Sequence, residues 1–537
     1  MSSIKQFKDP IYGYVKIPVK YVKDIIDTAE FQRLRRIVQT SYSPLYSASV
    51  HNRFIHSIGV YHLGTIAAES VFKYLNENDR TKDLQKWDKI KEIFLLACLL
   101  HDVGHAPFSH TGERYYLDKN GGYANLHKKL EDCVGTDDFK NDIPKDSKSA
   151  APHEIMSAIV ALERYKTYLN DDLAKELFAR CITGYQYQKK NLANSVLNCV
   201  ISLLNSKVID VDRLDYLIRD AYFTGFETVN IDYERLLTSL TITIDNENAK
   251  LGFYKNAISV IENVVYAHDS ERKWIQTHPI VLYDMYIIQH VIDILEKRFS
   301  NDKNHLFSQE SLSFEGHELI DGTIISLLCD DDIVHLLKTK KDDSLCTEYF
   351  SRNQRRHPIW KSEAEYKAYL PLHFGKGKVF ETLTSALSET EKYMRKNSES
   401  WIINESIIEE LENDLENADK SEEIDESTRN AQKEIKQKIL KVVRALKTYA
   451  DSNGIEFDFV LLEANQFYSG FNRKDLLDIP ITFPQKTNQS TYQLKDVVAL
   501  LESNQLETEE FFYLYCKEGN KPINKTSLCD ELYKVFM

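Results

Sequence analysis

The stretch IFLLACLLHDVGHAPFSH, residues 93–110, decides how this chain is read. Ile90, Ile93, Phe94 and Ala97 recur at helical spacing as an apolar stripe, and His101 continues that stripe at its C-terminal end. A polar ring at the end of a buried stripe needs a partner inside the core. Asp102 follows at once, and an adjacent His-Asp pair can bind one metal ion if the helix ends there. His105 and His110 decorate the loop beyond.

Three further stretches carry the same residue types. In HNRFIHSIGVYHLG (51–64), Arg53 and His56 are three apart and share a helix face. Pro152-His153-Glu154 opens a helix containing Ile155, Ala158, Ile159 and Leu162. In VIDVDRLDYLIRDAYFTG (208–225), Asp212, Tyr216 and Asp220 fall at i, i+4 and i+8, so two carboxylates and a phenol line one helix face. Taken singly, a helical histidine is ordinarily a satisfied core residue. Taken together, these histidines, carboxylates and arginines would require many separate buried hydrogen-bond solutions. One shared metal ion and its substrate accounts for all of them.

Bulk properties bound the rest. At 537 residues the chain exceeds what one hydrophobic core supports, so at least two domains or lobes are expected. With 42% hydrophobic residues, only 18 Gly and 12 Pro, and long stretches of helical spacing, the expectation is a mainly α protein. The formal net charge of -14 argues against a nucleic-acid coat, while leaving room for a nucleotide held by a local cluster of cations and metal. The eight cysteines are dispersed with no Cys-x-x-Cys pair, so neither a structural zinc site nor a disulfide framework is expected, and a reducing, cytoplasmic setting follows. The N-terminal MSSIKQFKDP has no apolar signal core. The longest apolar run, Ile93 to Leu100, is too short to cross a bilayer of ~30 Å, so no membrane partner is expected.

Along the chain, Asp9-Pro10-Ile11-Tyr12-Gly13 reads as a turn beside a short β segment within a compact, basic N-terminal segment, 1–50. A helix is predicted over Phe31 to Gln39, capped by Asp27 or Thr28. The domain 51–300 reads as helix after helix, broken by a polar loop at 117–150 and a β-hairpin at 239–256 turning at Asp245-Asn246. Region 301–537 reads as α+β, helical over 314–346 and β-like over 457–485. At 402–436, where Ile403, Ile407, Leu411 and Leu415 recur every four residues, an exposed acidic helix fraying into a linker is expected.

The four clusters resemble the HD superfamily of metal-dependent phosphohydrolases, whose pattern is His … His-Asp … Asp. The stretches FQRLRRIVQT, HNRFIHSIGV, HDVGHAPFSH and IDVDRLDYLIRDAYFTG look like the deoxynucleoside triphosphate triphosphohydrolases of that class. The opening KQFKDPIYGY also fits, and weaker echoes occur at 314–333 and 465–483. The resemblance implies an HD-type helical core with small β-hairpins and a mixed α/β C-terminal region. By position, His56, His101, Asp102 and Asp212 would bind the metal, a set suited to Fe, Mn or Mg, with Zn also compatible. His110 would protonate the leaving 5′-oxygen, with Glu113, His153 and Glu154 supporting proton transfer and a second ion. His105, Arg53 and Arg213 would neutralise phosphate charge, and Gln39, Tyr216 and Asp220 would contact sugar and base. The implied reaction attacks the α-phosphate and releases inorganic triphosphate from a deoxynucleoside. Alternatives are another HD-type phosphodiesterase or nucleotidase, or a catalytically silent nucleotide sensor.

One segment departs from that pattern. After the hairpin the family places an Arg, a His and a Tyr at helical spacing, where this chain has Asp269, Lys273 and Thr277; a shift of register would recruit His268, Arg272 or His278 instead. Lys5, Asp27, Gln32 and Arg35 match positions that hold an activating nucleotide between subunits in some members, which implies a homo-oligomer, dimer or tetramer. Asp27 as a helix cap and Arg35 as a surface charge is the plainer reading of two of them.

Overall fold

The computed structural model describes residues 3–118, 121–144, 150–227, 230–300, 305–339, 343–397, 401–418, 426–465, 469–484, 489–498, 510–517 and 523–537. The chain is mainly α with small sheets and forms two units. The first comprises Met1–Arg272, Ile292–Leu336 and Tyr468–Asn504; the second comprises Lys273–Val291, Leu337–Phe467 and Gln505–Met537.

The first unit opens with an antiparallel hairpin, Ile4–Asp9 with Gly13–Pro18. Asp9 shapes its turn by accepting from the Ile11 and Tyr12 amides at 2.8 and 3.0 Å. The helix predicted over 31–39 is shorter. It runs Ala29–Arg33, tightens to a 3-10 turn at Leu34–Arg36, and gives way to an extended bridge between Val38 and Asn52. Tertiary bonds override the helical spacing there: Arg53 N donates to Ile37 O and Gln39 N to His51 O. Thr28 occupies the N-cap position, but its hydroxyl bonds Ile25 O and caps nothing.

Asn52 starts the long helix Arg53–Glu77 by accepting from Ile55 N at 3.3 Å. This helix packs against Trp87–Leu100 and Val211–Thr224. The approach to Val211–Thr224 requires glycine at 59, because a Cβ there would collide with the Asp215 carboxylate and the Arg219 guanidinium. The 117–150 segment is more helical than its polarity suggests. Ala124–Val134 buries Leu126, Leu130 and Val134 at four-residue spacing, Asp137–Asp142 buries Phe139, and residues 119–120 and 145–149 lie outside the described residues. The predicted hairpin is present as Leu240–Asp245 with Asn248–Tyr254, and Pro480–Pro484 extends it in parallel.

The reading of 314–346 as helical needs correction. His317–Glu318 pairs with Ile324–Ile325 around Gly322, whose φ of 84° suits glycine, and helix begins only at Asp330.

The second unit contains a three-stranded sheet, ordered His357–Pro358, Glu510–Cys516, Phe459–Asn465, with helices Lys378–Asn397, Glu405–Ala418 and Glu426–Asn453. Arg356 is buried in its core between Glu348 and Asp458. The acidic helix is Glu405–Ala418. Its stripe is not solvated: Ile403, Ile407 and Leu411 are buried, and the helix packs on Glu426–Asn453 with an Arg444–Glu412 pair at 2.6 Å. Residues 426–436 are the start of that second helix rather than a linker, and 419–425 lie outside the described residues. No described helix is long and apolar enough to cross a membrane, and none of the eight cysteines forms a disulfide.

Candidate metal centre and imidazole cluster

Three helices bring four side chains to one point. His56 lies one turn into Arg53–Glu77, His101 and Asp102 end Trp87–Leu100, and Asp212 sits in the first turn of Val211–Thr224. The Nε2 atoms of His56 and His101 face each other at 3.2 Å. Asp212 Oδ1 lies 2.9 Å from the first and 3.5 Å from the second. Asp102 Oδ1 lies 3.5 Å from His101 Nε2, and its Oδ2 3.7 Å from His56 Nε2.

The far nitrogens determine what this means. His101 Nδ1 meets the Cys98 carbonyl at 3.0 Å, and His56 Nδ1 meets Asp215 Oδ2 at 2.7 Å. Both partners only accept, so each Nδ1 carries a hydrogen, and in its neutral form each ring turns its Nε2 lone pair toward the other. Two lone pairs 3.2 Å apart, flanked by two carboxylates, repel unless a proton or a metal ion lies among them. His56, His101 and Asp102 therefore form a buried group able to hold a metal ion, with an Asp212 oxygen beside it. The nitrogen and oxygen donors, with no thiolate, suit a divalent ion.

Without a metal ion, a proton takes that place on His56. Burial alone would lower the His56 imidazolium, but its hydrogen bonds to Asp212 and Asp215 outweigh burial and carry it up to about 9. Against the upward push of burial, Arg53 and the two histidines hold the Asp102 carboxyl well below its usual range, and His101 and His56 do the same for Asp212. Arg53 is almost fully committed: Nη1 donates to Asp102 Oδ2 at 2.9 Å, Nε to Ser109 Oγ at 2.9 Å, and Nη2 to Gln39 O at 3.0 Å. It fixes Asp102 and the next loop together. That loop is strained, with Phe108 and Ser109 at φ 56° and 54°. Asp330 holds it by accepting from Phe108 N at 2.6 Å.

Beside this centre lies a second cluster. The rings of His105 and His153 stack at 4.2 Å, and His110 meets His153 edge-on at 5.1 Å. Glu113 bridges, bonding His110 Nδ1 at 3.2 Å through one oxygen and His153 Nδ1 through the other. The two histidines hold the Glu113 carboxyl well below its usual range despite burial. Burial, reinforced by Arg53 and His153, keeps His105 neutral, and neither of its ring nitrogens has a hydrogen-bond partner among the described residues. A buried imidazole with no partner points to a ligand. His110, with 55% of its side chain exposed, is the member open to solvent.

The other expected residues divide. Gln39 is buried beside Arg53, and its Oε1 has no partner among the described residues. Arg213 bonds the Val208 and Ser206 carbonyls while its Nε has no partner among the described residues. Tyr216 lies close to Arg213, and burial raises its phenol. Asp220 is bound to His51 at 2.7 Å. Glu154 is engaged elsewhere, accepting from Ala151 N at 2.7 Å and Asn205 Nδ2 at 2.9 Å, and burial keeps its carboxyl well above the usual range. Gln32 and Arg35 meet at 2.8 Å, and Arg35 covers the Phe54 ring; Lys5 and Asp27 are exposed.

Sequence reasoning missed Asp215, His51 and the Cys98 carbonyl. Asp215 follows Asp212 by three residues, so helical spacing put it within reach of the same centre. The carbonyl left no signal in the residue pattern.

The chain carries an HD domain: residues 53–167 match the model of that family. Uncharacterized protein YwfO from Bacillus subtilis (strain 168) is 27% identical over 386 residues, 69% of this chain and 76% of that protein. The deoxynucleoside triphosphate triphosphohydrolase SAMHD1 homolog of Dictyostelium discoideum is 30% identical over 52% of this chain, and the SAMHD1 of Danio rerio 30% over 44%. The matches span 47% and 36% of those two relatives. In fold, the chain is similar to a hypothetical protein from Aquifex aeolicus (TM-score 0.55, 17% identity, all of both chains). It is also similar to a phosphohydrolase from Bacteroides thetaiotaomicron VPI-5482 (TM-score 0.54, 18% identity, 96% of this chain and all of that one).

Proposed function

We propose that the protein hydrolyses deoxynucleoside triphosphates to deoxynucleoside and inorganic triphosphate at a divalent-metal centre of His56, His101, Asp102 and Asp212. The observation that carries this reading is the pair of opposed Nε2 atoms between two carboxylates, with an imidazole cluster alongside. When bound, a divalent ion there supplies a Lewis acid for a phosphoryl oxygen and a water that is nucleophilic at neutral pH. Arg53 holds Asp102 and the Ser109 loop in register. His110, oriented by the ionised Glu113, gives its proton to the leaving 5′-oxygen. His105 and Arg213 bring unpartnered nitrogens to phosphate oxygens. Gln39 and Tyr216 contact sugar and base, and Asp220 does so through its bond with His51. Glu154 supports the start of the helix that carries His153.

The SAMHD1 relatives support the nucleotide substrate. A second reading, an HD phosphodiesterase or nucleotidase, draws on one observation: Asp269 carries a carboxylate where that family places a cation. Incubating the protein with each dNTP and NTP plus Mn²⁺ or Mg²⁺ separates them. Triphosphate with nucleoside supports the first; orthophosphate or a linear nucleotide supports the second. We further propose a dimer or tetramer that takes an activating nucleotide at Lys5, Asp27, Gln32 and Arg35. A flat activity curve against added dGTP or GTP, with unchanged sedimentation, removes that part.

A further inference from the structure

Asp269, near the end of the helix Ile258–Glu271, serves as an anchor. Its Oδ2 accepts from Ser469 Oγ at 2.6 Å and its Oδ1 from Gly470 N at 2.8 Å, two hundred residues along the chain. Tyr266, on the same helix, packs edge-on against Phe471 at 5.7 Å. The clamp sets a single turn, Gly470–Asn472, and a short helix, Lys474–Leu477, with Arg473 at their junction. Arg473 thereby lines one small cavity with Arg213 and His268.

The fold offsets this cluster only in part: Tyr216 and Asp269 act on Arg473, and Asp210, Tyr216 and Asp212 act on Arg213. Among the described residues the Arg473 side chain makes no hydrogen bond or ion pair, and the buried Nε of Arg213 has no partner. Burial lowers the Arg473 guanidinium below its usual range, and Arg213 and Arg272 lower it further. Half-buried like charges are unfavourable until an anion joins them. Arg213 directly follows Asp212 and feels its carboxylate, which links the cluster to the candidate metal centre.

We infer that Asp269 clamps the Ser469–Leu477 segment so that Arg473 joins Arg213 in gripping the phosphate tail of the substrate. Arg473 is a binding residue from a distant part of the chain, and Asp269 is a positioning residue that acts through it. The inference rests on the nucleotide reading of the site. It also explains how a carboxylate at 269 is compatible with a polyanionic substrate.

The test is calorimetric binding of inorganic triphosphate to the full-length protein in EDTA, which requires no turnover. Arg473→Ala should weaken binding at least about tenfold, the loss of a charge-assisted bond. Arg473→Lys should retain most of it. Asp269→Ala should weaken binding to a similar extent, and the double variant should be no weaker than Arg473→Ala, since one residue acts through the other. Wild-type affinity in Arg473→Ala, or additive losses in the double variant, overturns the inference. Arg473-dependent binding by a protein that releases no triphosphate from any dNTP upholds this subsite and removes the triphosphohydrolase reading.

Discussion

Asp215 holds Nδ1 of His56 at 2.7 Å, and the rest of the buried network holds Asp215. Arg219 donates to both its oxygens at 2.8 and 3.0 Å, Tyr12 donates to Oδ1 at 2.8 Å, and Asp9 pairs with Arg219 at 3.0 Å. The N-terminal hairpin thus reaches the candidate metal centre through three fully hydrogen-bonded charges. A carboxylate behind a ligating imidazole fixes its tautomer and raises its basicity. Asp215→Asn should reduce affinity for Mn²⁺ about 10- to 100-fold, read by metal titration, with helical content unchanged by circular dichroism. Undiminished affinity would show that His56 is not oriented this way.

The same pair sets a pH dependence of opposite sign with and without metal. In the chelated protein the His56 imidazolium lies near 9, above its unfolded value of about 6.5. Its stabilising contribution is therefore complete below about 6.5 and is lost as pH rises through 9. A metal ion needs the neutral ring, so metal affinity should rise over that same interval. Melting scans between pH 6 and 9 should show the gain from added Mn²⁺ growing with pH; a gain independent of pH contradicts the assignment.

How much of this was legible depended on chain distance. His101 and Asp102 could be read because the apolar stripe that buries them is local, and Arg53 with His56 because helical spacing is. The bridge at Val38 and the burial of Ile403, Ile407 and Leu411 were not legible, since each depends on a partner far along the chain. The Glu113 bridge depends likewise on His153, forty residues away. Asp269 was read only as a departure from the family pattern for the same reason: its partners at 469 and 470 are two hundred residues distant.

His110 is the exposed member of its cluster, so its loss should leave metal binding intact. His110→Ala should lower kcat about 10²- to 10⁴-fold, as expected for a general acid. The deficit should shrink with a substrate whose leaving group needs no proton, such as a p-nitrophenyl ester. An equal deficit on both substrates would assign His110 to binding.

Gly59 marks where two helices come closest. Gly59→Ala would push a methyl into Asp215 and Arg219, so stability should fall by about 1–3 kcal/mol in urea denaturation, and metal affinity should fall with it. Wild-type values for both would mean the helices have room to part.

The most direct test is hydrolysis of each dNTP in H₂¹⁸O with Mn²⁺, followed by mass spectrometry of the products. Attack on the α-phosphate with His110 protonating the 5′-oxygen predicts one ¹⁸O in inorganic triphosphate and none in the nucleoside, with turnover abolished by chelation and in the His101→Ala, Asp102→Ala double variant. Orthophosphate or pyrophosphate as product, label in the nucleoside, or wild-type rates in the double variant would contradict it.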